Sequence, residues 1–248
     1  MDVPMQAHIL ELKYHHSGKE EILYPAVLQG SSQLVLVDCG YPGSLPLLET
    51  ALKQAGFSLA ELTGVLITHH DIDHVGALHA LKQEYPRLQV YSSVTEAAYI
   101  NGSKKSARLQ QAEDLHRTLP EDQQANSLAF QEFLKSVEPV AVDFTFKGEE
   151  EPDFFSGAQI IHTPGHTPGH FSVYLPASQT LISGDALVYE DGELGIANPQ
   201  YTLDLAMAVS SIKRLAGLEI AQLICYHGGM VQADIQQKLQ ELISQQIV

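Results

Sequence analysis

Thr68-His69-His70-Asp71-Ile72-Asp73-His74 follows the short apolar run Val65-Leu66-Ile67 and precedes a helical pattern from Val75 to about Glu84. Length and composition make the apolar run a buried strand, so the polar segment sits where a strand ends and a helix begins. Three further segments share that placement. His162-Thr163-Pro164-Gly165-His166-Thr167-Pro168-Gly169-His170 follows an expected strand at 158–162. Ser183-Gly184-Asp185 ends one at 179–183, and Tyr226-His227-Gly228-Gly229 follows one at 221–225. Loops at strand ends are where an α/β scaffold places its chemistry while the strands stay dry.

Each segment alone has a plain structural use. Asp73 suits an N-cap, the Thr-Pro-Gly repeats suit turns, and a single His227 suits a hydrogen-bonded structural histidine. Together they gather imidazoles and carboxylates, without cysteine, at four strand ends. Mixed sets of this kind suit Zn, Fe or Mn, and the lack of thiolates points to a catalytic rather than a structural metal.

Working outward, strands are expected at 7–14, 22–28 and 33–38, the last ending at Asp38-Cys39-Gly40. A helix at 44–55 carries Leu45, Leu48, Ala51 and Leu52 on one face and stops at Gly56, and a strand returns at 89–91. This strand–helix–strand rhythm indicates an α/β layered core. The stretch 93–137 interrupts it: polar, helix-rich, and holding Lys104, Lys105, Arg108 and Arg117. Strands at 139–146 and 171–175 and helices at 203–216 and 231–246 complete the pattern. The charge run Glu149-Glu150-Glu151-Pro152-Asp153 is expected to be a solvated turn. No repeat or low-complexity linker divides the chain, so one domain over 1–248 is expected, with a helical insert at about 93–137.

Composition narrows the partners. Across 248 residues, 14 Lys+Arg face 30 Asp+Glu, a net charge of −16, which disfavours nucleic acid and anionic membrane surfaces. The start, Met1-Asp2-Val3-Pro4, has no basic n-region, and no apolar run reaches the ~20 residues of a membrane span. Cys39 and Cys225 read as small buried hydrophobes of a reduced, cytoplasmic protein. A small-molecule substrate is the remaining partner class.

The ordered motifs resemble the metallo-β-lactamase superfamily. Its signature is His-x-His-x-Asp-His after a strand, then a His in a Gly-His-Thr-x-Gly turn, a Gly-Asp, and a late His. His69, Asp73, His74, His166, Asp185 and His227 match it, over about residues 20–230. The resemblance implies a four-layer αβ/βα sandwich with metals at one sheet edge. It implies His69, Asp71 and His166 as ligands of a first transition-metal ion, and Asp73, His74 and His227 as ligands of a second. Asp185 would bridge both ions, which could be Zn, Fe or Mn, divalent or trivalent. His70, His162 and His170 match no ligand position. The implied chemistry is hydrolysis of an ester, thioester or lactone by a metal-bridging hydroxide that Asp73 orients. A small-molecule phosphodiesterase and a di-iron redox protein resembling the flavodiiron metal domain are the alternatives. Lactonases of the superfamily carry a Tyr three residues after the bridging Asp; Val188 stands there and Tyr189 is one further on. Tyr189 and Tyr201 are the candidates for polarising a substrate carbonyl. Leu109, Leu115, Leu128, Phe130 and Phe133 of the insert are candidates for an acyl pocket.

One position departs from the signature: Asp71 replaces its second His. With His there, two dications, two aspartates and one hydroxide leave a single positive charge; with Asp71 they leave none. A less positive site favours a harder or trivalent ion, so iron or manganese is expected to gain on zinc at the first position.

Overall fold

The structure, a computed structural model, describes residues 4–16, 18–148 and 155–245. Two sheets stack face to face with helices on both outer surfaces. The first sheet contains β1 (Gln6–Ile9), β4 (Ala26–Gln29), β5 (Leu34–Val37), β6 (Gly64–Leu66), β7 (Gln89–Ser93) and β8 (Phe144–Phe146), in that spatial order. Its strands from β5 to β8 run parallel, and β1–β4 and β4–β5 pair antiparallel. The second sheet runs β15 (Gly229–Val231), β14 (Gln222–Cys225), β11 (Thr180–Ile182), β10 (Phe171–Leu175), β9 (Gln159–His162). Two hairpins stand apart, β2 (Leu12–His16) with β3 (Lys19–Leu23), and β12 (Val188–Glu190) with β13 (Glu193–Gly195).

Strand alternation explains the layers, because successive side chains point to opposite faces. Leu28, Val35, Val37, Leu66 and Phe146 point inward and meet Ile160, Phe171, Val173, Ile182 and Ile224 between the sheets. Val27, Leu34, Leu36, Val65 and Val90 point outward under α1 (Leu45–Gln54) and α3 (Leu78–Glu84). On the far side, Ile161, Tyr174, Leu181 and Leu223 lie under α7 (Leu205–Leu215) and α8 (Ile235–Gln245). Strands buried on both faces are why β5 and β6 read as unbroken apolar runs.

Several expected boundaries shift for local reasons. The strand expected at 7–14 is two, β1 and β2, and that at 22–28 breaks between β3 and β4. Pro25 lacks the N–H a ladder needs; its carbonyl instead accepts from Leu10 N, and Tyr24 N donates across to Tyr226 O. The strand expected at 139–146 shortens to β8, with Val140 N tied to Ile100 O. The helix expected from Val75 divides into α2 (Ile72–Val75) and α3. Between β7 and β8 lie α4 (Val94–Ile100), α5 (Ala107–His116) and α6 (Glu121–Lys135). The acidic run 149–153 lies outside the described residues.

Candidate metal centre

Five strands end at one edge of the sandwich: β5 before Asp38, β6 before the segment 67–74, β9 before 163–170, β11 before 183–185 and β14 before 226–227. That convergence brings together all seven residues singled out in the sequence. Donor atoms of His69, Asp71 and His166 lie within 4.8 Å of one another, as do those of His69, His74 and Asp185, and those of Asp73, His74 and His227. Asp185 faces three histidines, with Oδ1 3.2 Å from His74 Nε2 and Oδ2 3.5 and 3.6 Å from His166 and His227 Nε2. Asp73 Oδ2 lies 3.2 Å from His227 Nε2 and 3.5 Å from His74 Nε2.

The surrounding groups orient these donors. Asp38 accepts from Thr68 N at 2.8 Å and Thr68 Oγ1 at 2.7 Å, and its Oδ2 takes His74 Nδ1–H at 2.9 Å. Thr68 Oγ1 in turn accepts from His69 Nδ1–H at 3.0 Å. Both imidazoles thereby turn Nε2 into the site, the usual arrangement behind a metal-binding histidine. Asp38 adopts a left-handed backbone, φ +61°, a strained choice for a non-glycine residue that its three bonds hold in place. His170, a non-ligand in the sequence analysis, is buried and accepts from Asp185 N at 2.9 Å through Nε2. Gly184 makes that approach possible, because a Cβ there would stand 2.7 Å from the His170 ring.

Electrostatics set the protons. Burial pushes the His170 pKa down to about 3, with His166 adding to the effect, so the ring is neutral and can accept from Asp185. Burial, then His74 and His166, hold His69 well below the ordinary imidazole range. Burial opposes charge on His74 and His227 too, but neighbouring carboxylates win, Asp185 foremost; His227 rises to about 10. Burial likewise opposes charge on Asp71, yet Arg108 and His166 hold its carboxyl well below the usual range.

The donor set fits transition-metal ions. His69 Nε2, Asp71 Oδ1, His74 Nε2 and Asp185 Oδ1 are buried and make no hydrogen bond, although leaving such atoms unpaired costs about 1–3 kcal/mol each. They point into one space and offer nitrogen and oxygen donors only, which a cation would satisfy.

A cavity of about 640 Å³ opens over these residues. Ile72, Phe130, Phe133, Leu134, Val188 and Ile196 form its apolar wall, and Glu21, Glu190 and Arg108 add charge. Tyr201 lines it, whereas Tyr189 does not: its ring lies by Lys238, and its backbone N–H holds His227 O. Of the insert residues named as an acyl pocket, Phe130 and Phe133 reach this cavity. Leu115 lines an adjoining one, Leu109 packs by Ile72 and Val137, and Leu128 is exposed. His79 pairs with Glu138 at 3.5 Å away from the cavity.

Two residues at the centre escaped the sequence reading. Glu96, fully buried in α4, accepts from His70 N at 3.0 Å, His70 Nδ1 at 2.5 Å, Thr167 Oγ1 at 2.8 Å and Gly169 N at 2.8 Å. It ties the loop that follows β6 to the loop that follows β9. Arg108, in the first turn of α5, donates to Asp71 Oδ2 through Nε at 3.2 Å and through a terminal nitrogen at 2.6 Å. Ser93 three residues before Glu96 is a visible capping-box signal, but nothing local shows the carboxylate turning inward.

Residues 25–227 match the metallo-beta-lactamase superfamily. The chain belongs to this superfamily. Among its relatives is the probable metallo-hydrolase YflN of Bacillus subtilis (strain 168), 26% identical over 214 residues, covering 78% of this chain and 75% of YflN. The hydroxyacylglutathione hydrolase of Mesorhizobium japonicum is 28% identical over 199 residues, 79% of this chain but 58% of that enzyme. The chain thus spans less than two thirds of the hydroxyacylglutathione hydrolase. An archaeal metallo-beta-lactamase superfamily protein from Sulfolobus tokodaii shares the fold at TM-score 0.69 and 23% identity, covering 98% of this chain and 86% of its own. A family protein from Thermus thermophilus does so at TM-score 0.68 and 24% identity, covering 97% and 79%. Membership in the metallo-beta-lactamase superfamily, with metallo-hydrolase relatives, makes the chain a metal-dependent hydrolase. No helix among the described residues is long and apolar enough to cross a membrane.

Proposed function

We propose that the chain hydrolyses a carboxylic ester, thioester or lactone of a small molecule at a two-metal centre. His69, Asp71 and His166 would hold one ion, Asp73, His74 and His227 the other, and Asp185 both. The observation that carries the proposal is the cavity over these residues, in which a six-residue apolar wall faces the carboxylates and imidazoles. An acyl chain fits such a wall; a polyanion does not, because Glu21 and Glu190 add to the aspartates and, among the described residues, Arg108 is the one Lys or Arg side chain on the lining. A phosphodiester is therefore disfavoured, and so is an acidic peptide such as glutathione.

Bound there, two transition-metal ions supply Lewis acidity and water of lowered pKa. The chain's own side chains do the rest. Asp73, part-exposed on the cavity lining, would orient the attacking water and take its proton. Asp38 and Thr68 fix the imidazoles so that no reorganisation accompanies the reaction. Phe130, Phe133 and Leu134 exclude water and seat the acyl group. Tyr201, half-exposed at the rim, is the proposed donor to the substrate carbonyl. In this scheme the chain is one folding unit, and segment 93–137 is an insert that walls the site.

A panel of alkyl esters, thioesters, lactones and phosphodiesters, run with metal-loaded and chelated protein, tests the proposal. Acyl turnover that disappears on chelation and in Asp73→Asn is expected. Preferential phosphodiester turnover, or no acyl turnover in protein carrying two ions, overturns it. A visible spectrum of the purified protein showing a reducible iron centre would favour the di-iron alternative.

A further inference from the structure

With Asp71 where the superfamily signature has His, the seven-residue centre is one positive charge short. Arg108 changes that sum. Its side chain is 5% exposed, and its guanidinium makes two hydrogen bonds to Asp71 Oδ2, the oxygen that lies 3.0 Å from His166 Nε2 and 3.8 Å from His69 Nε2. A buried guanidinium is costly unless paired and hydrogen-bonded. Here Gln111 Oε1 also accepts from it at 2.6 Å, and the Tyr201 ring faces it at 5.4 Å.

The backbone delivers Arg108 to this place by a closed chain of contacts. Glu96 holds His70 Nδ1–H, which leaves His70 Nε2 to accept from Ala107 N at 3.2 Å. Ser106 caps the same helix end, accepting from Leu109 N. The next residue, Arg108, then reaches back to Asp71, the neighbour of His70. Ile72 packs with Ala112 and Leu134 beneath the same helices. Each link lies between the insert and the ligand loop, so α5 is registered on the metal centre itself.

We propose that Asp71 and Arg108 act as one unit, a carboxylate–guanidinium pair that stands in for the signature histidine at the first metal position. The pair is neutral overall, as an imidazole is, and it offers one oxygen donor at the place of one nitrogen. Arg108 is a positioning residue: it fixes Asp71 and withdraws charge from it, and it returns to the centre the positive charge that the aspartate removes. The preference for iron or manganese expected from Asp71 alone is weakened accordingly, and zinc is restored to parity.

The proposal rests on the seven-residue metal centre and not on any substrate, and its test reads metal and stability rather than activity. Zinc content and affinity, by competition with a chromophoric chelator, and urea unfolding are measured for wild type, Asp71→His, Arg108→Met and the double variant. Asp71→His alone strands a buried guanidinium beside a histidine and a cation, and is expected to lose at least tenfold in affinity for one of two ions. Adding Arg108→Met should rescue it, returning two-ion binding and raising the unfolding midpoint above that of Asp71→His. Arg108→Met alone should keep two ions and move selectivity from zinc towards iron and manganese. Losses that simply add in the double variant, with no rescue in either measurement, overturn the pair and leave Arg108 as an anchor of α5. A wild type that takes up no metal overturns the centre on which the pair rests, whatever the variants do.

Discussion

Replacing Glu96 by Gln removes one oxygen from a buried group that accepts four hydrogen bonds and donates none. If the new amide nitrogen takes the Oε2 place, it meets both the His70 N–H and the Nδ1–H; that imidazole cannot switch tautomer without setting its Nε2–H against Ala107 N–H. If it takes the Oε1 place, Thr167 can rotate to accept, and only Gly169 N loses its partner. The second arrangement is cheaper. An unsatisfied buried N–H costs about 1–3 kcal/mol, and two or three remaining bonds fall from charged to neutral strength, about 1 kcal/mol each. The expected loss is about 3–6 kcal/mol of unfolding free energy in chelated protein, read from urea midpoints at unchanged m-value. Since Glu96 joins the loops bearing His69 to His74 and His166, zinc affinity should fall with stability although no ligand is altered. A loss under 1 kcal/mol, or full stability with full affinity, would refute the assignment of Glu96 as the brace between the two loops.

Asp38→Asn should leave the fold intact and lower zinc affinity about 10–100-fold, because it weakens the hold on His74 and Thr68 without touching a ligand; chelator competition checks it. The thiols should be inert to an aromatic disulfide reagent in folded protein: burial raises Cys225 to about 12, leaving about 1 in 10⁴ as thiolate at pH 8, and pushes Cys39 higher still. Two thiols should react after unfolding. In chelated protein, His227 has a folded pKa of about 10 against an unfolded value of about 6.5, so its stabilisation is complete below pH 6.5 and lost as pH rises towards 10. Urea midpoints should decline across that window without metal and hold steady with metal, whose ligands carry no proton.

The candidate ligands were legible in the sequence because each lies in a short segment directly after an apolar strand. Strand ends in a layered fold converge whatever the intervening lengths, so His69 and His227 could be placed at one edge without knowing the path between them. Groups whose meaning depends on a distant partner were not legible. Arg108 lies 37 residues from Asp71 on a helix of polar composition, and in sequence it resembles Lys104 and Lys105, which are exposed. Tyr189 shows a related limit: counting from Asp185 fixes its position along β12 but not the face it takes, and Lys238 lies by its ring. The division at Pro25 was visible as a residue, but the carbonyl that makes it useful, accepting from Leu10, required the fold.

The centre straddles the seam between the sheets, with His69, Asp71, Asp73 and His74 following a strand of the first and His166, Asp185 and His227 following strands of the second. No half of the chain can assemble it alone, so a cation finds its full donor set only after the two sheets have docked. Ions bound there would clasp that interface, and where the sheets dock after the folding transition state they stabilise the native state alone. Such contacts act on escape rather than approach. Metal should therefore leave the refolding rate nearly unchanged while slowing unfolding in proportion to its affinity, so that the lifetime of the folded chain is set by its cation supply.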